Sequence, residues 1–324
     1  MHRTLGPDGT AVSRLGLGCM SMTGTYGPTD PREAAATVLE ALDSGVTMFD
    51  TGDFYDDGAN EELLGRTLAP HRDRAVLATK TGVRRTAEGL VPAGSPNDLR
   101  LACEASLRRL RTDHLDLYYL ARIDPAVPVE ESVGALADMV AQGKVGHIGL
   151  SEVSAATLRR AHAVHPISAV QTEYSLWERH VETDILPTIR SLGATLIAYS
   201  PLGRGLLTGA VRSTTRYEPG DFRATAPRYN GEDLKANLAI VDAITHLAAK
   251  NATPAQIALA WLLTRGSDVI PIPGSSRRTH LRDNLAALDL HLTATDLGDI
   301  DAVVPDTGAR GARYGDHGIA LIDQ

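Results

Sequence analysis

Three ionisable side chains stand where short apolar runs end or have just ended: Asp50 closes VTMFD, Tyr55 follows in TGDFY, and Lys80 closes AVLATK. Together they make a proton donor with its support. A phenol has a pKa of about 10 in water and donates poorly at neutral pH, and a neighbouring ammonium favours the phenolate and brings the donor nearer the working range. Lys80 would tune Tyr55 in this way, and Asp50 would keep a buried Lys80 charged and oriented. Taken singly each has a plainer reading, the aspartate as a turn cap and the lysine as a solvated charge; their coincidence at run ends is what points to chemistry. A fourth run, LDLYYLA, ends on Ala121 ahead of Arg122, a methyl where the other runs deliver a polar group.

The elements that must position these residues recur along the chain. Apolar runs at 15–20, 46–50, 75–80, 115–121, 147–151, 169–174, 195–200 and 268–274 alternate with helix-period segments such as DPREAAATVLEALDSG, NDLRLACEASLRRL and PVEESVGALADMVAQGK. Asp30, Asn97 and Pro128 near the starts and Gly45 and Gly143 at the ends have the character of helix caps. The runs lack clean period-2 alternation, as strands covered on both faces should, and every crossover is long enough for one helix. Strand then helix, repeated around the chain, predicts a single (β/α)8 TIM barrel over residues 1–324 rather than two domains. Residues 1–14 predict a hairpin at the barrel bottom with GPDG as its turn. A long Gly-, Pro-, Thr- and Arg-rich connection after the seventh run is expected to act as a mobile cover, and the polar C-terminal tail has no assigned role. In such barrels chemistry collects at the C-terminal strand ends, which here also carry Ser151, Gln171 and AYSPLG.

Composition removes several classes. With 43% hydrophobic residues the chain can bury a large core, and a formal charge of −8 leaves no basic face for a nucleic-acid backbone. Cys19 and Cys103 have no C-x-x-C spacing, so neither a disulfide framework nor a zinc site is expected, and a reducing cytoplasm fits. His162 and His165 in HAVH lack a third ligand and read as surface residues. No stretch approaches the roughly 18 uninterrupted apolar residues of a membrane span, so a soluble, cytoplasmic protein with no membrane partner is expected. No pattern in the chain specifies an oligomeric state.

The segments FDTGDFYDDGANEELLGRTL, LATKTG, LDLYYLARIDP, GLSEVS, VQTEYS, IAYSPLGRGLLTG and IPIPGSSRRTHLRDNLAAL resemble the aldo-keto reductases, in order and across nearly the whole chain. The resemblance implies a barrel that binds NADPH without a Rossmann fold and transfers its hydride to an aldehyde or ketone. Carried over by position, Asp50, Tyr55 and Lys80 match three members of that family's catalytic tetrad, while the fourth, a histidine, falls on Ala121. The position reads as vacated. Alanine neither donates nor accepts through its side chain, and losing one such hydrogen bond at a transition state costs on the order of 10²–10³ in rate. Either a histidine was replaced by engineering in an otherwise intact site, the reading preferred here, or this is a natural reductase with altered chemistry or a water in place of the ring.

By the same resemblance Tyr199 would stack on the nicotinamide, Ser151 and Gln171 would hold its carboxamide, and Gly18, Met20, Asp50, Ser200, Leu202, Gly203, Gly205 and Gly274 would line the cofactor. A flat heteroaromatic ring does want one π-face and a few fixed polar groups. Gly203 and Gly205 alone fail the spacing of a doubly wound dinucleotide fingerprint. In PGSSRRTHLRDN, small residues such as Ser276 before a helix start would offer backbone N–H groups to phosphate, with Arg277 or Arg278 as partner of a 2′-phosphate, which favours NADPH over NADH; by the resemblance, Asp283 and Asn284 would lie near the adenine. Met22, Phe54, Tyr55, Arg122, Trp177 and Tyr229 are candidates for the wall around a small-molecule carbonyl substrate. A rival reading is a catalytically silent NADPH-binding regulatory subunit; a third, a hydrolase using Asp50, leaves Lys80, Tyr199 and the arginine-bearing final loop unexplained.

Overall fold

The computed structural model describes residues 2–7, 9–87, 89–218, 220–248, 252–305 and 307–323. Strands β1 (Arg3–Leu5) and β2 (Thr10–Val12) pair antiparallel as the expected N-terminal hairpin. The barrel strands follow: β3 (Leu17–Gly18), β4 (Met48–Asp50) and β5 (Val76–Thr81), then, after a further antiparallel hairpin β6 (Val83–Thr86) and β7 (Gly89–Pro92), β8 (Leu115–Leu120), β9 (Val145–Ser151), β10 (Ile167–Glu173), β11 (Thr195–Tyr199) and β12 (Val269–Pro271). The large sheet has eight strands in the order β12-β11-β10-β9-β8-β5-β4-β3, every neighbour pair parallel. Its two edges meet: Gly16 N donates to Pro271 O (3.0 Å) and Gly18 N to Pro273 O (3.1 Å). Glycine is required at this seam, because a Cβ on Gly18 would stand 2.8 Å from the Ile272 carbonyl oxygen.

Helices α1 (Pro31–Asp43), α2 (Ala59–Leu68), α3 (Pro96–Leu110), α4 (Val129–Ala141), α5 (Ala155–Val164), α6 (Ile185–Ser191), α7 (Gly231–Ala248), α8 (Pro254–Leu263), α9 (Arg278–Ala286), α10 (Ala294–Val303) and α11 (Asp316–Ile319) complete the chain. Asp30 caps α1 as expected. At α3 the cap is Ser95, whose Oγ accepts from Asp98 N, rather than Asn97: Pro96 at the first position sets a helical φ and starts the helix earlier. The hairpin β6–β7 lies where no strands were expected.

Two cores sort the strand residues by face. Leu5, Val12, Met48, Ala78, Leu117, Tyr119, Ala169, Ile197 and Ile270 fill the barrel interior, so the hairpin plugs the bottom. Phe49, Leu77, Tyr118, Leu120, Ile148, Leu150, Val170 and Leu196 pack outward against the helices. Since successive strand residues alternate faces, Asp50, Lys80, Ser151, Gln171 and Tyr199 continue the inward rows at the C-terminal rim, and Ala121 stands directly beyond the β8 row of Leu117 and Tyr119. Among the described residues, no helix is long and apolar enough to cross a membrane.

Candidate active site

Lys80 Nζ donates to Asp50 Oδ1 (2.5 Å) and to Thr51 O (2.5 Å), and Gln171 Nε2 donates to the other Asp50 oxygen (2.7 Å). Both members of the ion pair are buried, with side chains 4% exposed. The ammonium lies 4.7 Å from the centroid of the Tyr55 ring. Tyr55 is delivered by a tight turn: its N–H donates to Gly52 O (3.1 Å), and a Cβ on Gly52 would press on its ring at 3.3 Å. After it Asp56, Asp57 and Gly58 all take positive φ, so the chain reverses within one turn and enters α2. Glu152, Ser200 and Arg204, at or beyond the ends of β9 and β11, are further non-glycine residues with positive φ, which places backbone strain around the same rim.

Burial raises the Tyr55 phenol above its ordinary range, and Lys80 opposes that rise without cancelling it. The sequence-based expectation of a phenol brought down by Lys80 therefore gives the right opposing effect but not the net direction. Burial also works against the Lys80 ammonium, yet Asp50 and Tyr55 together hold it above its usual value, so Lys80 stays charged. Asp50 is pushed up by burial, against Lys80 and Gln171.

Ala121 is 1% exposed; its N–H donates to Thr81 O (2.7 Å) and its carbonyl accepts from Arg122 Nη1 (2.6 Å). Tyr199 OH donates to Glu152 Oε1 (2.8 Å) and meets Tyr314 OH at 2.6 Å. Because Tyr199 spends its one proton on Glu152, Tyr314 is the donor to Tyr199. Glu152 is also bound by both terminal nitrogens of Arg313 (2.9 and 2.8 Å), by Thr172 and by Glu173 N. Burial pushes the Glu152 carboxyl up, but Arg313 leads the forces that bring it below the usual range. The C-terminal tail thus lies across the mouth, tied further by His317 to Leu90 O (2.8 Å) and by Asp323 to the Ser154 hydroxyl (2.9 Å). The sequence reading assigned this tail no role, and nothing local in GARGARYG marks it as part of a site.

The other candidates divide by position. Phe54 packs edge-on to Tyr55 with centroids 4.9 Å apart. Met22, Trp177 and Tyr229 are buried, the Tyr229 hydroxyl donating to Gly203 O (2.9 Å). Gly203 lies against the Trp177 indole, and Leu202 is buried beside it. The connection after β11 forms short 3-10 turns, with Arg204 and Arg228 buried against Glu173 (3.3 and 3.2 Å) and Arg228 also paired with Glu178. Met20 opens a 3-10 turn beside Ser21, and the Ser21 hydroxyl is buried without a partner, facing Gly274. Near it, Ser276 and Arg277 precede α9 and Asn284 is buried on it. Arg278 pairs with Glu33 (3.0 Å), whereas the Arg277 guanidinium is exposed and has no partner among the described residues. His162 Nδ1 accepts from Ile167 N (3.2 Å), a local tie.

The chain is similar to known proteins over nearly its whole length. The model of the "Aldo/keto reductase family" matches residues 14–305. A probable aldo-keto reductase from Glycine max is 44% identical over 315 residues, covering 96% of this chain and 90% of that protein. Among solved structures, a glycerol dehydrogenase from Gluconobacter oxydans superposes with a TM-score of 0.85 at 29% identity, covering 93% of this chain and 94% of that one. An aldo/keto reductase from Klebsiella pneumoniae, in complex with NADP and acetate, gives 0.74 at 28% identity, covering 96% and 99%.

Proposed function

The chain belongs to the aldo/keto reductase family, and from that premise we propose that it reduces a small aldehyde or ketone with NADPH, Tyr55 giving the proton. The observation that carries this reading is the buried Lys80, bonded to Asp50 at 2.5 Å and set against the Tyr55 ring.

The residues at the rim fit a nicotinamide dinucleotide. The buried, partnerless Ser21 hydroxyl facing Gly274 and the unpaired Arg277 guanidinium at the start of α9 supply a donor and a cation where phosphates would lie. Tyr199, Gln171 and Ser151 would hold the ring. When bound, the cofactor supplies the hydride to the carbonyl carbon. The chain does the rest: Tyr55 Oη gives its proton to the oxygen as negative charge develops there, the Lys80 ammonium stabilises the phenolate left behind, and Asp50, fixed by Gln171, keeps Lys80 charged and aimed. The methyl of Ala121 leaves the carbonyl oxygen without a second donor from β8, so turnover is slow. Ala121 also favours the second reading, a cofactor-binding subunit without turnover.

Fluorescence titration with NADPH and NADH tests the proposal. NADPH is expected to bind at least tenfold more tightly, with the difference lost in Arg277→Ala; no binding of either would overturn it. Binding of NADPH with no aldehyde reduction by the wild type or by Ala121→His would select the non-catalytic reading.

A further inference from the structure

Near the end of β8 most charges are paired among the described residues. Lys80 is answered by Asp50, Arg313 by Glu152 and Arg223 by Asp221 (2.6 Å). Arg122, half-buried just beyond the end of β8, makes no ion pair among the described residues. Its one hydrogen bond is to the carbonyl of Ala121. A guanidinium carries five N–H donors in a planar fork, so this bond fixes its orientation and leaves the remaining donors unused. The ionisable groups that face it are Tyr314, Tyr199, Glu152 and Tyr55. The phenols are neutral, and Glu152 lies beyond ion-pair distance, already neutralised by Arg313 and satisfied by Tyr199, Thr172 and Glu173 N. Burial works against the guanidinium, but the groups around it hold it above its ordinary value, so Arg122 stays charged and its unused donors are open to an anionic ligand.

We propose that Arg122 anchors a carboxylate of the substrate, so that the compounds reduced here are oxo acids, aldehydes or ketones carrying a carboxylate a few bonds from the carbonyl. This rests on the reductase reading above. A planar carboxylate matches the fork with two parallel hydrogen bonds. Fixation at the far end of the substrate recovers part of the orientation lost at the carbonyl oxygen, while the donor missing at Ala121 still slows the proton step.

The test is calorimetric binding of 4-formylbenzoate and of its neutral methyl ester to the protein saturated with NADP⁺, where no reduction occurs. The wild type is expected to bind the carboxylate about 10- to 100-fold more tightly than the ester, as a charge-assisted bidentate contact should. Arg122→Gln should lose that discrimination, and Arg122→Lys, a point charge without the fork, should keep part of it. Equal affinity for acid and ester in the wild type would overturn the proposal without any variant, as would discrimination that survives intact in Arg122→Gln. NADP⁺ binding is measured separately in the same samples. Its failure would count against the reductase reading, while acid-over-ester discrimination by the cofactor-free protein would still decide the anchor.

Discussion

Asp53 lies two positions before the proton donor, with its N–H on Lys80 O (3.0 Å) and its Oδ1 buried without a partner. Burial raises its carboxyl to about 7, with a hydrogen bond from Thr81 opposing and Glu61 adding to the rise. A folded-state pKa above the unfolded value means that the folded chain holds the extra proton. The associated stability is full below about pH 4 and is lost as pH rises through 7. Asp53→Asn is therefore expected to gain more at pH 8 than at pH 5, by about 1–2 kcal/mol, or a few degrees in Tm, read by thermal melts at both values. An equal gain at both would show that the buried acid does not titrate there. Asp50 and Lys80 stood out in the sequence because a charged group closing an apolar run is itself an anomaly, and Tyr55 because it follows Asp50 in the same connection; the structure brings the three side chains together. Arg313 and Tyr314 were not, since an arginine and a tyrosine in a polar tail are ordinary until the fold brings them to Glu152 and Tyr199.

At the scale of elements, the connection after β11 and the C-terminal tail are held by close packing and by buried charge. A Cβ on Gly203 would stand 2.5 Å from the Trp177 indole, and Gly203 has a φ of 53°. Gly203→Ala is expected to cost about 2 kcal/mol, seen as a lower urea midpoint at unchanged slope. Arg313→Gln leaves Glu152 buried with its cation gone and is expected to cost about 3 kcal/mol by the same measurement. If either variant matches the wild type, these segments are not packed on the rim as described. All the barrel strands were legible as apolar runs. Their inward and outward faces were not, because both are apolar: Met48 and Ala78 point in while Phe49 and Leu77 point out, and no polarity contrast separates them. Hairpin β6–β7 escaped notice because VRRT and GLVP flank its turn without alternation.

Across the whole molecule, the barrel gathers residues as distant in sequence as Ser21 and Tyr314 onto one rim, so cofactor binding should report on the integrity of the entire fold. NADPH at a hundred times its Kd is expected to stabilise the protein by about 2.7 kcal/mol, raising Tm by several degrees, with NADH at the same concentration doing less. Equal shifts from both would contradict the role given to Arg277. The parallel barrel followed from the repeat of runs and helices and the bottom hairpin from the turn residues GPDG, whereas the closure of the mouth by the tail is a long-range arrangement that no local pattern encodes.

The central claim is that Tyr55, supported by Lys80 and Asp50, gives the proton to a carbonyl whose second donor is missing at Ala121. It is tested most directly by single-turnover oxidation of bound NADPH with 4-formylbenzoate in the wild type, Ala121→His, and Ala121→His combined with Tyr55→Phe. The account expects slow oxidation in the wild type, a rate about 10²–10³ higher with the histidine, and loss of that gain when the phenol is removed. A double variant that oxidises NADPH as fast as Ala121→His alone would contradict it.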